Sequence, residues 1–587
     1  MSHRTGSRLA ALIVGAAIAA ALVVPATPAA ATPTCTTTPR IDGSFIQPAL
    51  VDGWTATQLS SELSTLTDAC ITSQVIQWTA DTKASTTVYP SGLSGYAQST
   101  STDVISRVLT AADSAGVAEY LGLQTNDDWW NTYANDATWL NGQATAANAL
   151  ADDLYARYGT HASFAGWYLP FEVDNWNFTS TSSWSAMATF YTTIANHLHA
   201  LTPGKPVIIS PFYNTSGGQT STQWTSMWSS ILASAPIDVI ALQDGVGAGH
   251  ATTAQLATWF SATKSAITSS RPATQLWADS ETFNPDFTPM SISQLIADLN
   301  AVAPYVTKTL SFSYDHYDSP LTVPAVYDTT YRNYLSSGAV ESSAPTTPTG
   351  LTATSGGITS VNLAWTASTD NIGIAGYRVY RGGALVKVIQ GAVTSFTDAG
   401  LSPATTYSYK LAAFDAAGNA SAQSATATAT TSSAPAANPL ISSGRPYTTS
   451  VGADPGYPDT GAAELTNGVT GTTSYSDAAW QGRNTGSAYS FTIDLGSTKT
   501  ITQVGTSWLQ TKSVYIFLPS SIQVSVSTTG STFTPLVTMP APNVSDADQR
   551  YTYAAYGLSG SGRYVRFTVT PASSAWSFVD EATVRGL

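Results

Sequence analysis

The sequence predicts a multidomain protein: an N-terminal (β/α)8 barrel followed by two all-β units, the first of them a β-sandwich. Three observations carry this. Eight apolar, strand-like runs recur between Ile41 and Leu335 at intervals of 33, 43, 46, 43, 31, 38 and 34 residues, with helix-patterned stretches between them. At Ala344 the texture becomes Pro/Thr-rich and then alternates as half-buried strands do. Beyond a short Pro/Ala/Ser linker, SSAPAANP (432–439), residues 440–587 again read as strands and turns. A chain of 587 residues is also too long for one core, so several folded units are expected.

Residues 1–31 come first and read as a secretory signal peptide. Arg4 and Arg8 give a positive start, Leu9 to Val24 an apolar run, and Ala29-Ala30-Ala31 a small-residue cleavage site. Pro25 and Pro28 argue against a retained anchor, so the protein is expected outside the cell with no membrane contact after the leader is removed. Cys35 and Cys70 are the only cysteines. In an oxidising compartment they are expected to form a disulfide tying the new N-terminus to the first helix, and two cysteines alone make a poor metal site.

The barrel is assigned to 35–337. Its strand-like runs begin near Ile41, Gln74, Val117, Ser163, Pro206, Ile237, Gln275 and Thr309. They are continuously apolar before turning polar at their C-terminal ends, as parallel strands buried on both faces should be. Between them lie amphipathic helices such as Thr57–Ala69, with Leu59, Leu63 and Leu66 on one face, Val104–Ala112 and Ser291–Val302. In the sandwich, assigned to 344–431, Trp365, Tyr377, Val379, Leu401 and Tyr407 fall at core positions.

Composition narrows the chemistry. Only 10% of residues are charged and the net charge is −14, which disfavours nucleic acid and anionic membrane and suits neutral ligands. Of 16 Trp, 12 lie between residues 54 and 277. Trp fills cores, and its flat face also stacks on sugar C–H groups. No GxSxG elbow, HExxH spacing or phosphate-binding glycine loop follows a strand. His197 and His199 fall at i and i+2 on a helix and point apart, and with His161 they read as surface groups. No catalytic cofactor is expected.

In a parallel barrel, working residues stand where strands end. The fourth run ends in Leu169-Pro170-Phe171-Glu172-Val173-Asp174 and the seventh in Trp277-Ala278-Asp279-Ser280-Glu281. These ends face each other across the mouth, and two carboxyls there can flank one glycosidic bond, one protonated and one ionised. Glu172, in an aromatic neighbourhood of Trp167, Tyr168, Phe171 and Trp176, is the expected acid. Glu281 is the expected nucleophile, and Asp174 and Asp279 are the competitors. Gln47, Trp78, Asn126, Asp127, Trp130, Trp176, Tyr213, Asn214, Gln243, Asp244, Trp277, Tyr314 and His316 are candidate substrate contacts, with Asp244 able to steady Glu281 or bind a hydroxyl.

Family resemblances add to this reading. The segments IDGSFIQP (41–48), GWYLPFEVDN (166–175), ISPFYN (209–214), DVIALQDGVG (238–247), LWADSETF (276–283) and FSYDHYDSP (312–320) resemble the bacterial glycosyl-hydrolase-like barrels grouped as the domain of unknown function DUF4434. The layout is also similar to the clan of retaining barrel glycosidases. That similarity implies an acid/base after strand 4 and a nucleophile after strand 7. The chain departs from the clan in having Phe171, not Asn, before Glu172.

LSPATTYSYKLAAFDAAGNAS resembles the tyrosine-corner strand pair of fibronectin type III domains, an immunoglobulin-like sandwich used as a spacer or interaction module. LTNGVTG (465–471), YSFTIDLGSTKTITQV (489–504) and the terminal FVDEATV resemble the discoidin, or F5/8 type C, β jelly roll, bacterial relatives of which act as carbohydrate-binding modules. That resemblance implies a structural calcium near Asn467, Thr472 and Glu581. Trp480, Arg483, Trp508, Tyr515 and Trp576 are candidates for a sugar platform there.

The function expected is therefore a secreted glycosidase acting on a poly- or oligosaccharide, with the C-terminal module holding it on polymer. A non-catalytic glycan-binding barrel and an inverting hydrolase using the same carboxyls are the alternatives.

Overall fold

The computed structural model describes residues 35–572 and 576–587; the expected signal peptide lies outside them. Eight parallel strands close a barrel: β1 (Gly43–Ile46), β2 (Ser73–Ile76), β3 (Ala118–Gly122), β4 (Phe164–Leu169), β5 (Val207–Ile209), β6 (Val239–Gln243), β7 (Gln275–Glu281) and β8 (Thr309–Phe312). Closure is by β1 on β8, with Gly43 opposite Leu310 and Ser44 opposite Ser311. Alternation along each strand divides its side chains. Phe45, Val75, Tyr120, Tyr168, Ile208, Ala241, Trp277 and Leu310 fill the interior. Ile46, Leu121, Trp167, Ile209, Leu242 and Leu276 pack outward under the helices. Gly122 is required by the close approach of β2, since a Cβ there would stand 2.3 Å from the Gln77 carbonyl oxygen.

Among the described residues, eight helices of more than ten residues surround the strands: α1 (Ala56–Asp68), α2 (Val104–Ala115), α3 (Ala137–Tyr158), α4 (Thr181–Leu201), α5 (Ser221–Leu232), α6 (Thr253–Ser270), α7 (Ile292–Val302) and α8 (Val326–Ser337). Their starts are written in the sequence. Thr55–Gln58, Thr220–Gln223 and Thr252–Gln255 form capping boxes, and Asp103, Asp136, Ser180 and Ser291 cap α2, α3, α4 and α7. Gly116 and Gly338 end α2 and α8 in the left-handed region, both at φ 71°. Cys35 and Cys70 are joined in a disulfide that ties the segment before β1 to the end of α1. Among the described residues no helix is long and apolar enough to cross a membrane.

The sandwich has strands β9 (Thr349–Ser355), β10 (Ser360–Thr366), β11 (Gly376–Arg381), β12 (Ala384–Gln390), β13 (Ser395–Ala399), β14 (Thr406–Phe414) and β15 (Ala427–Thr430). They form sheets of order β9-β10-β13 and β12-β11-β14-β15. Trp365 and Tyr377 meet edge to face at 5.2 Å in its core, and the Tyr407 hydroxyl accepts from the Ser402 amide at 2.9 Å. The jelly roll carries β16 (Tyr447–Thr449), β17 (Gln481–Asn484), β18 (Tyr489–Gln510), β19 (Ser521–Ser527), β20 (Thr534–Pro540), β21 (Gln549–Thr570) and β22 (Trp576–Gly586). Their order is β17-β22-β18-β21-β19-β20, with β16 on β18.

The domains touch. Val326 and Tyr327 at the start of α8 pack against Ala375, Phe414 and Ala416 of the sandwich, and the Ile292 amide donates to the Ala416 carbonyl at 2.9 Å. Arg381 Nη2 donates to the Asn543 carbonyl at 3.1 Å, and the Tyr551 hydroxyl donates to the Gly400 carbonyl, joining sandwich and jelly roll.

Candidate active site

The C-terminal ends of the barrel strands converge on a cavity that both Glu172 and Glu281 line. Glu172 stands three residues beyond β4 and is partly open to the cavity, while Glu281 is the last residue of β7 and is buried.

Their surroundings differ. Glu281 Oε2 accepts from the Ala248 amide at 2.6 Å and the carboxylate is further favoured by the Gly247 amide. Burial, aided by the charges of Asp279 and Glu172, outweighs these bonds and pushes it up to about 8. Glu172 is pushed up to about 8 by burial, with Asp174 adding to the rise and one hydrogen bond from the Gln243 side chain opposing it. Gly247 permits the approach of its loop to Glu281, since a Cβ there would lie 2.8 Å from the Glu281 Cβ and 2.5 Å from the Phe283 carbonyl oxygen. Asp244, fully buried, accepts through Oδ1 from the Val246 amide at 3.1 Å and the Glu281 amide at 3.3 Å. It holds the loop and the Glu281 backbone and does not line the cavity.

Asp279 points into the barrel one layer below Glu281 and also lines the cavity. Ser210 Oγ lies 2.9 Å from Asp279 Oδ2 and 2.9 Å from the Ala241 carbonyl oxygen. One hydroxyl proton cannot serve both acceptors. Burial holds Asp279 well above the usual carboxylate range. The Ser210 hydroxyl donates to the Ala241 carbonyl or to Asp279 Oδ2, and Asp279 Oδ1 is left without a hydrogen-bond partner.

The remaining candidates divide. Gln47 Nε2 donates to Gln77 Oε1 at 3.0 Å, and Gln77 lines the cavity. Trp78, Trp130 and Trp176 are half-buried above the strands, Trp78 and Trp176 on loops and Trp130 in the short helix Trp129–Thr132. Trp130 lies 6.3 Å from the Phe212 ring, and Trp176 donates to the Asn214 carbonyl. Asp127 is exposed, whereas Asn126 is buried and ties its loop to Thr82 and Asp128. Asn214 caps its own turn through the Ser216 amide. His316 bonds Ser313 and is pushed down to about 4 by burial, so it is neutral at physiological pH.

Three expected substrate contacts are core groups instead. Tyr213 is buried, stacked on Trp259 at 4.6 Å, with its hydroxyl on the Asp244 carbonyl. Tyr314 is buried with its hydroxyl 2.5 Å from Asp328 Oδ1. Trp277 lies at the opposite end of the barrel, edge-on to Tyr120 and beneath Lys308, because it sits four residues before Glu281 on a rising strand. Gln77, Gly247 and Ala248 were not singled out from the sequence. The one available signal was the glycine spacing in Asp244-Gly245-Val246-Gly247 just beyond β6.

In the jelly roll, Trp480, Trp508 and Arg483 are buried core groups and cannot form a platform; Arg483 bonds Gln481 and the Val451 carbonyl over the Tyr489 ring. Tyr515, 57% exposed, and half-buried Trp576 stand at one end, where Trp576 and Tyr475 flank Tyr457. Around the expected calcium, Asn467 Oδ1 accepts from the Val469 amide and Glu581 Oε2 from the Gly468 amide. The Thr472 carbonyl accepts from Trp480 Nε1. Calcium takes six to eight oxygens. Here Asn467 Oδ1 and Glu581 Oε2 each accept one backbone amide, and these bonds help to close the loop. Among the described residues no group of three or more His, Cys, Asp or Glu could hold a metal.

A closed (β/α)8 barrel with two acidic side chains in its mouth, bearing a sandwich and a jelly roll, defines the class of the molecule. Residues 41–323 match the model of the domain of unknown function DUF4434, residues 344–430 the fibronectin type III domain, and residues 447–582 the F5/8 type C domain. Exoglucanase B of Cellulomonas fimi is 50% identical over 95 residues, 16% of this chain and 8% of that protein. The chain spans 7–21% of the length of the first three curated relatives, and such matches fall mostly on the sandwich. Among solved structures, a Bacteroides thetaiotaomicron protein described provisionally as an alpha-L-fucosidase covers 54% of this chain and 99% of its own, at 20% identity and TM-score 0.45. The Clostridium perfringens module CpGH89CBM32-5, in complex with GalNAc-beta-1,3-galactose, covers 25% of this chain and 100% of its own, at 16% identity and TM-score 0.20.

Proposed function

We propose that the protein is a secreted glycosidase that cleaves glycosidic bonds of a poly- or oligosaccharide by retaining double displacement, with Glu172 as acid/base and Glu281 as nucleophile. The observation that carries this is the meeting of Glu172 and Glu281 in one cavity from the ends of β4 and β7. Two backbone amides favour the ionised form of Glu281, as a nucleophile needs. Glu172 has a single neutral donor, Gln243, against its burial, and keeps its proton near neutral pH. Glu172 gives its proton to the leaving oxygen while Glu281 attacks the anomeric carbon and forms a glycosyl ester. Glu172 then takes a proton from water, which attacks the same carbon and releases Glu281.

Secretion is supported by the leader-like residues 1–31 and by the Cys35–Cys70 bridge, which suits an oxidising compartment. The jelly roll is proposed to hold the enzyme on glycan through the rings of Tyr457, Tyr475, Tyr515 and Trp576. The test is hydrolysis of a glycan panel with the product anomer read by NMR. Retention of configuration supports the assignment, and inversion would make Glu281 a base for water. Full activity of Glu281→Gln would remove Glu281 from the reaction.

A further inference from the structure

The composition of the cavity bears on which sugar it can take. Its polar wall consists of the carboxyls of Glu172, Asp279 and Glu281 and the carboxamides of Gln77 and Gln243. Its apolar wall consists of the rings of Phe45, Tyr168, Phe283 and Phe312, and among the lining residues there is no Lys, Arg or His. Asp279 is 2% exposed and its Oδ1 has no partner, although the side chain reaches the cavity floor. A buried polar atom left unsatisfied is costly, and a ligand hydroxyl at that point would satisfy it. The enclosed space of ≈ 20 Å³ holds about one water-sized group, so what reaches its floor is a hydroxyl and not a whole ring.

We infer that the cavity is the floor of a subsite for an uncharged sugar unit, one hydroxyl of which donates to Asp279 Oδ1, and that it rejects uronic acid and sulfated units. The bond cut beside this unit rests on the glycosidase reading; the binding does not. An anionic sugar would carry its charge against a buried wall of acidic groups and neutral carboxamides with no cation to pair it, and an unpaired charge in a buried site is costly. The carboxamides are neutral hydrogen-bonding partners, and the rings offer flat faces to sugar C–H groups.

The test uses the full chain in two arms. Binding of neutral pyranoses (glucose, galactose, mannose, fucose) and of glucuronate, galacturonate and galactose 6-sulfate is followed by ligand-observed NMR. The 4-nitrophenyl glycosides of the same sugars report hydrolysis. Gln77→Trp, which fills the cavity, separates binding here from binding at the jelly roll, and Gln77→Lys adds a cation to the wall. The expected result is a neutral sugar whose binding weakens about 10-fold or more in Gln77→Trp and exceeds that of its acidic counterpart by about 100-fold, a gap that Gln77→Lys narrows about 10-fold. An acidic sugar bound in the cavity as well as its neutral counterpart overturns the inference, as does the absence of any neutral sugar sensitive to both Gln77 variants. Binding of a neutral sugar without cleavage of any glycoside leaves the inference standing and removes the glycosidase reading. Preferential cleavage of a uronide does the reverse.

Discussion

Glu281 and Glu172 share a sign of charge and a cavity, yet their neighbours prepare them for opposite tasks. Both are raised to about 8, chiefly by burial, so the pair holds at least one proton at neutral pH and titrates as a unit. Hydrolysis should therefore show a bell-shaped pH profile whose alkaline limb falls near pH 8, where the acid loses its proton. A profile still rising at pH 10 would contradict the assignment. Glu281→Gln is expected to lower kcat at least ~10³-fold with an unchanged melting temperature, since the change is nearly isosteric. Glu172→Gln should cost ~10²-fold or more on alkyl glycosides but far less on aryl glycosides with good leaving groups, which need no proton. Equal loss on both classes would remove the acid role. Phe171, in place of the Asn of the retaining clan, is buried against Trp129 and Phe190 and contributes packing at this point.

At the scale of elements, the loop after β6 and the carboxyls under α8 deserve separate tests. Gly247→Ala would drive a methyl group toward the Phe283 carbonyl and the Glu281 Cβ. It should cut kcat/KM by ~10-fold or more, given how steeply rate depends on placement. An unaffected kcat/KM would show that the loop does not set Glu281. Beneath α1 and α8, Glu62 accepts from Ser319 at 2.5 Å, and Asp315 accepts from Ser44 and Gln74. Burial, with Asp315 beside it, raises Glu62 to about 9. A carboxyl with a raised folded-state pKa contributes stability that is full below the unfolded value and lost as pH rises through the folded value. The melting temperature should thus fall by several degrees between about pH 5 and 9, and Glu62→Gln should flatten that dependence. An identical slope in the variant would refute the contribution.

For the whole molecule, the sandwich is docked on the barrel through Val326, Tyr327, Phe414 and Ala416, not merely strung behind it. Expressing 35–337 alone exposes this patch and should lower the melting temperature by about 4 °C or more relative to 35–431. Removing 440–587 should weaken retention on insoluble polymer while sparing turnover of small soluble glycosides. Collapse of soluble turnover would refute a tethering role.

Strand intervals, amphipathic helix patterns and the change of texture at Ala344 were enough to read the barrel and the two β units, because hydrophobic period and local composition are local properties of the chain. Glu172 and Glu281 were legible for the same reason, as acidic residues just where apolar runs end. Depth and direction were not legible. Trp277 and Glu281 share one strand, yet the rise of the chain puts them at opposite ends of the barrel. Tyr213 and Tyr314 look like polar contacts until neighbouring elements bury them. Gln77, Gly247 and Ala248 acquire their roles only through residues far along the chain, so tertiary packing alone decided which polar groups face the cavity and which have no partner there.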